Sequence, residues 1–389
     1  MRHAGDPPAI VLQASGPNAL GIVRSLGRAG VRVIACDHDR HALGMLSRYA
    51  TPARTADPLA EPEAFMDDLL ALGRGAGAGG VLFATHDEAI AAIGPHEARV
   101  DALVRRPWSP WATMSATIDK GHQHATARRI GFPVPATVTP EDEADVVALA
   151  SGLRFPVILK PRYAPEFRRR FRAQVLEAGD ARALRRAWDL AAEYRPQISE
   201  VIPGDDAQLW TLGSYRDAAG RPLASFTGRK LRQWPPRFGT ARAAESHWDP
   251  DLAARCHALL DALDFHGISQ VEVKRDPRDG RDNLIEVNPR SWLWVGLATA
   301  CGVNLPYACW LDAIGRPHAR PDGHRGDRRW LLAGKHLVGS AREIRAGDWS
   351  LAPFLASVRP PFTEGVIDLR DPRPALALYG RTLRRRLRA

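Results

Sequence analysis

Cysteine is scarce in this 389-residue chain. Cys36, Cys256, Cys301 and Cys309 are scattered, and no two form a C-x-x-C pair. That argues against a disulfide framework, and the four read as reduced, mostly buried thiols of a cytoplasmic protein. No apolar run approaches the ~18 residues of a membrane span, so no transmembrane helix is expected. The opening residues, Met1-Arg2-His3-Ala4-Gly5-Asp6-Pro7-Pro8, lack the apolar centre of a signal peptide. Lysine is also rare. Only five of the 54 lysines and arginines are lysines, as in chains from GC-rich genomes, and the net charge is +10. Neither a helix-turn-helix signature nor a basic strand interleaved with aromatics accompanies that charge, so no nucleic acid partner is expected. No Ser-His-Asp or Cys-His arrangement points to a nucleophilic side chain, and no internal repeat is visible.

What is present reads as an ordinary globular chain, 45% hydrophobic and 25% charged, long enough for two or three domains. Residues 9–14 form an apolar strand. Ser15-Gly16-Pro17-Asn18 forms a turn with a helix cap, 19–28 an amphipathic helix ended by Gly30, and 31–36 a second strand ending at Asp37. This is a βαβ start of an open Rossmann-like sheet. Its turn lacks G-x-G-x-x-G, which argues against a dinucleotide. A strand at 80–84 ends in Thr85-His86-Asp87-Glu88. Polar residues at the carboxyl end of a parallel strand suit a ligand, and a helix cap at Thr85 or Asp87 explains them equally. A Pro- and Trp-rich connection at 105–118 marks a domain boundary.

Beyond it the pattern predicts helices at 117–130 and 141–150, a strand at 156–161, a loop at 162–172, a helix at 180–193 and a strand at 197–202. A hairpin follows, from 208–212 and 223–227, with Asp217 to Gly220 as its turn. A helix at 250–264 comes next. The last 60 residues read as a short helical and strand appendage ending in a basic helix. Arg381, Arg384, Arg385, Arg386 and Arg388 there suit an anionic surface, or more simply a solvated helix face.

The richest segment is Gln270-Val271-Glu272-Val273-Lys274, a turn through Asp276, Pro277, Asp279 and Gly280, then Leu284-Ile285-Glu286-Val287-Asn288-Pro289-Arg290. Period-2 alternation puts Glu286 and Asn288 on one face, and a hairpin brings Glu272 opposite them. Two carboxylates and an amide oxygen make a hard oxygen site. Mg²⁺ suits it, completing its shell with water and nucleotide phosphates. An exposed strand end before a proline could look the same, so the rest of the chain has to decide.

Five segments in order do so. Asp119-Lys120 opens the helix leading to Gly131-Phe132-Pro133-Val134-Pro135. Then come Pro156-Val157-Ile158-Leu159-Lys160-Pro161, Glu200-Val201-Ile202-Pro203-Gly204-Asp205-Asp206, Thr227-Gly228-Arg229-Lys230, and Glu272 with Glu286 to Arg290. Their succession between Asp119 and Arg290 resembles the ATP-grasp superfamily, and most of all its carboxylate–amine ligases related to D-aspartate ligase and the carbamoyl-phosphate synthase-like members; the resemblance covers roughly residues 9–320.

The resemblance implies an α/β chain with three parts. These are a Rossmann-like domain over 1–114, an ATP-grasp domain over 115–320 and the appendage over 321–389. Within the second, a lid lobe covers about 135–200, a hinge lies at about 197–205, and a C-terminal lobe carries an antiparallel sheet. ATP and Mg²⁺, or Mn²⁺ in its place, are the implied cofactors. Glu272, Glu286 and Asn288 would hold the metal. Lys120 and Lys160 would reach the nucleotide phosphates as point charges. Glu200, Val201 and Ile202 would meet adenine, and Asp205 or Asp206 the ribose. Arg290, with Lys230 and Arg232 on one side of a strand, would steady the transferring phosphoryl group, and Arg242 is a further grip on substrate.

The expected activity joins a small-molecule carboxylate to an amine through an acyl phosphate, with amino acid or peptide substrates. Two alternatives stay open: carboxylation through carboxyphosphate, and an ATP-binding sensor without turnover. Homodimers are frequent in the family. Where many members carry a glycine-rich loop over the phosphates, this chain has Arg162 to Phe171 with no glycine. Arg168, Arg169 and Arg170 there suit either phosphate or plain solvent.

Overall fold

The structure is a computed structural model. It describes the whole chain except residues 1–4, 141–145, 147, 149, 162, 163, 317–322, 325, 327 and 389, and the backbone alone at 164, 165 and 383–388. Three sheets organise it. The first is parallel, in the order β3-β2-β1-β4, from β1 (Ala9–Leu12), β2 (Val33–Asp37), β3 (Ala50–Arg54) and β4 (Val81–Phe83). Both β1 and β2 are buried along their whole length, as a sheet covered on both faces requires. The expected helix begins two residues early, at Pro17–Arg28, because Pro17 supplies a ready-made first-turn φ and lacks the N–H a helix start leaves unpaired.

The second sheet is small and antiparallel, β5-β8-β6-β7, from β5 (Thr137–Val138), β6 (Val157–Lys160), β7 (Leu176–Ala178) and β8 (Gln197–Glu200). It has its own core of Val157, Leu159, Ile198, Leu184 and Trp188. The helix expected at 141–150 lies largely outside the described residues. The segment expected as a loop at 162–172 is instead a helix, Ala164–Phe171. Having no glycine, it has no flexible backbone to favour a loop. Phe167 and Phe171, four apart, share a face and close on Tyr194, with ring centroids 4.6, 5.4 and 5.7 Å apart.

The third sheet has seven strands in the order β13-β12-β9-β10-β11-β14-β15. Its strands are β9 (Leu209–Arg216), β10 (Pro222–Trp234), β11 (Thr240–Ser246), β12 (Gly267–Arg275), β13 (Asp282–Asn288), β14 (Arg329–Leu331) and β15 (Phe362–Glu364). The predicted hairpin is β9–β10, extended at its turn end to Arg216 and Pro222 and with β10 running on to Trp234. β14 pairs with β11, and β15 with β14. Two strands of the C-terminal residues are therefore part of the sheet. Buried Arg242 on β11 fastens the C-terminal residues. Its guanidinium pairs with Glu343 and donates to Ser340 Oγ (2.8 Å), His336 O (3.0 Å) and Gln233 O (3.1 Å). With all that hydrogen bonding internal, Arg242 is not available to grip a substrate.

The helix expected at 117–130 is two helices, Trp111–Ile118 and Lys120–Arg129. Asp119 makes the break. Its carboxylate caps the second helix, accepting from the N–H groups of Gly121 (2.7 Å) and His122 (3.2 Å). The break fixes Lys120 at the first position of that helix.

Candidate active site

A cleft of about 260 Å³ lies between the small sheet and the seven-stranded sheet, with Asp87 and Arg290 at one end. Its floor is the β12–β13 hairpin. Glu272 stands directly opposite Glu286, and Gln270 opposite Asn288. Like charges facing each other across two strands repel, so the pair requires cations, and the fold supplies them from three directions. Lys230 on β10 meets Glu272 at 2.6 Å. Lys160, at the end of β6, and Lys120, at the start of its helix, approach Glu286 at 3.8 and 3.9 Å. Lys160 also donates to the Ile285 carbonyl at 2.6 Å, which ties the small sheet to the hairpin.

These contacts set the charge states. Burial pushes the Lys160 ammonium down to about 8, against the upward pull of Glu286. Burial pushes Glu286 up, but Lys160 and Lys120 outweigh it and hold the carboxyl below its ordinary range. Asp87 behaves likewise, raised by burial and lowered further by Arg290. His124 is buried one turn along from Lys120 on the same face. Burial first, then Lys160, lowers its pKa to about 3, so its imidazole is neutral.

Arg290 joins the first sheet to the floor. It donates to Asp87 at 2.8 Å, to the Ser291 carbonyl at 3.1 Å and to Asn288 Oδ1 at 3.1 Å. The helix Asp87–Ile93 starts with no side-chain cap, so neither Thr85 nor Asp87 serves as one. Thr85 instead donates to the Leu12 and Gln13 carbonyls. Trp292 lines the same end of the cleft. It fits because Gly213 on β9 has no side chain, and a Cβ there would overlap the indole.

The hinge residues Glu200, Val201 and Ile202 also line the cleft. Glu200 accepts from the Arg154 N–H at 2.8 Å, and the Val201 N–H donates to Pro156 O at 3.3 Å. Three expected residues stand outside the cleft. After Gly204, whose φ of +94° turns the chain, Asp205 caps a short turn by accepting from Ala207 N (3.0 Å). Asp206 accepts from Gln233 N and Nε2 at 2.7 and 2.8 Å. Arg232 does not share a side with Lys230. A register shift between them breaks the alternation, and the Arg232 guanidinium lies 4.4 Å over the Trp349 ring.

Among the cleft residues not singled out for the site from sequence are Gln270, Lys274 and His124. All three had a signal. Gln270, Glu272 and Lys274 alternate along β12, and His124 follows Lys120 by four. Arg168 reaches Glu88 at 3.3 Å only because its segment is a helix.

The donor set fits a divalent cation of the Mg²⁺ type. Glu272, Glu286 and Asn288 offer hard oxygen atoms on two adjacent strands, the chemistry such an ion prefers. With lysines on both carboxylates and arginine beside them, the same place suits a polyphosphate.

No family model matches the chain. It is 24% identical over 237 residues to the D-aspartate ligase of Enterococcus faecium, covering 58% of this chain and 56% of the ligase. It is 24% identical over 222 residues to the carbamoyl phosphate synthase large chain of Pyrococcus furiosus, covering 53% of this chain and 20% of that one. The chain thus spans about half the length of the first relative and a fifth of the second. Among solved structures, the biotin carboxylase of Campylobacter jejuni has a TM-score of 0.65 at 16% identity, covering 84% of this chain and 75% of that one. The ADP complex of Staphylococcus aureus N5-carboxyaminoimidazole synthetase gives 0.63 at 12%, covering 82% and 80%. The L-amino acid ligase of Bacillus licheniformis gives 0.59 at 15%, covering 80% and 75%.

Proposed function

From the ATP-grasp fold that these likenesses show, we propose that the protein is an ATP-dependent carboxylate–amine ligase acting on an amino acid or peptide. One observation carries the reading. The opposed carboxylates Glu272 and Glu286 are held by Lys120, Lys160 and Lys230, with Arg290 two residues beyond Asn288, all facing one cleft.

In the proposed reaction a substrate carboxylate oxygen attacks the γ-phosphorus of ATP. The bond to the β-phosphate oxygen breaks, leaving ADP and an acyl phosphate. The amine then attacks the acyl carbon. A C–N bond forms, the bond to the phosphate breaks, and the amine loses a proton. Glu272, Glu286 and Asn288 would hold Mg²⁺, or Mn²⁺ in its place, which when bound neutralises charge on the phosphates. Lys120, Lys160 and Lys230 move from these carboxylates toward phosphate oxygens. Arg290, oriented by Asp87, faces the developing charge. Glu200, Val201 and Ile202 form the adenine wall. No side-chain nucleophile is required, so catalysis rests on positioning and charge.

The likeness to D-aspartate ligase supports an amino acid substrate over bicarbonate. The test is ADP release from Mg²⁺-ATP against a panel of amino acids, dipeptides and bicarbonate. Release that needs an acid and an amine together is the expected result. Release with bicarbonate alone would replace the ligase by a carboxylating enzyme. ATP binding with no stimulated release by any pair would point to a sensor.

A further inference from the structure

From Arg329 to its end the sequence carries twelve lysines and arginines against five acids, so this last part holds most of the chain's excess charge of +10. The acids are largely consumed inside the protein. Glu343 pairs with Arg242, Asp371 with Arg24 and Asp368 with Arg28, and Glu364 accepts from the Ala333 and Val366 N–H groups. Arg345, Arg359, Arg370 and Arg373 stay exposed.

The same stretch holds eight of the eleven exposed large hydrophobic residues described: Leu337, Val338, Leu351, Leu355, Phe362, Ile367, Leu369 and Leu376. They are concentrated in this stretch rather than scattered singly along the chain. Leu369 is 94% exposed and Leu376 70%. The elements carrying them adjoin. His336 bonds Ser357 at 2.8 Å, Arg329 donates to Ala356 O at 2.6 Å, and the Gly334 N–H donates to Tyr379 Oη at 3.3 Å.

We propose that this C-terminal flank is a peripheral docking surface for an anionic lipid bilayer. Charge decides among occupants. A second copy would set this positive flank against its like. A soluble polyanion would meet the arginines but leave the leucines in water. An anionic bilayer takes both, phosphates at the arginines and acyl-chain boundary at the leucines. No described helix is long and apolar enough to cross a membrane, so the contact is with the membrane surface.

The test is cosedimentation of the full chain with phosphatidylcholine vesicles, with and without phosphatidylglycerol. It is independent of the ligase reading, because the readout is bound protein. Binding is expected only with phosphatidylglycerol, weakening as salt rises. Arg370→Gln with Arg373→Gln is expected to weaken it about thirtyfold, and Leu351→Ser with Leu355→Ser at least about tenfold. These side chains lie on the surface, so folding is retained, checked by an unchanged melting temperature. Equal binding to both vesicles, no binding, or a dimer whose formation removes lipid binding would each overturn the proposal.

Discussion

At the scale of single residues, the cleft is a problem in charge. Two carboxylates face each other across a strand pair, and three ammonium groups make that tolerable. Sequence alone gives the pair, because period 2 and a hairpin leave little freedom. It does not give the lysine contacts, which depend on how three separate elements meet. Asp87 is the clearest positioning residue. In Asp87→Asn, Arg290 keeps a neutral partner but loses its buried counter-charge. The account predicts a fall of about a hundredfold in kcat, with the Kd for ATP nearly unchanged, read by steady-state kinetics beside calorimetry. An equal loss in ATP affinity would assign Asp87 to nucleotide binding instead. Arg242 shows the opposite error. Its sequence position suggests a substrate grip, and the fold uses it as a buried tie. Glu343→Leu leaves that guanidinium unpaired and is expected to cost about 3–5 kcal/mol, measurable by urea denaturation.

At the scale of elements, most strands and helices were legible in the apolar periodicity, and the departures have local causes. Asp119 splits one predicted helix because a capping carboxylate competes with continuing it. The register shift after Lys230 turns Arg232 away, which alternation cannot foresee. The 162–172 segment illustrates a deeper limit. Its arginines dominate the sequence, while Phe167 and Phe171 decide its structure by closing on Tyr194, a contact across more than twenty residues of chain. Phe167 is fully buried. Phe167→Ala is therefore expected to cost the small lobe about 3–5 kcal/mol. Hydrogen exchange should rise in β6 to β8 while the seven-stranded sheet stays protected. Uniform loss of protection would mean the small lobe is not a separate core.

At the scale of the whole molecule, the seven-stranded sheet joins segments far apart in sequence, from β9 to β15. Strand content was expected in the C-terminal residues, but not where the strands lie or that they join the large sheet, because three residues each are too few to show alternation. Their place predicts that removing everything after residue 328 exposes the β11 edge and the Arg242 charge, giving an aggregating protein. A soluble, cooperative truncation would contradict that. The cleft between two sheets also predicts coupling between ligand and fold. Mg²⁺-ATP at about a hundred times its Kd should stabilise the chain by about 2.7 kcal/mol, and the gain should vanish without the nucleotide. The measurement that bears most directly on the central claim is the rate of ADP formation at saturating ATP, acid and amine, wild type against Glu286→Gln. The account predicts a loss of about a hundred- to a thousandfold with ATP still bound. Undiminished turnover in the variant would contradict it.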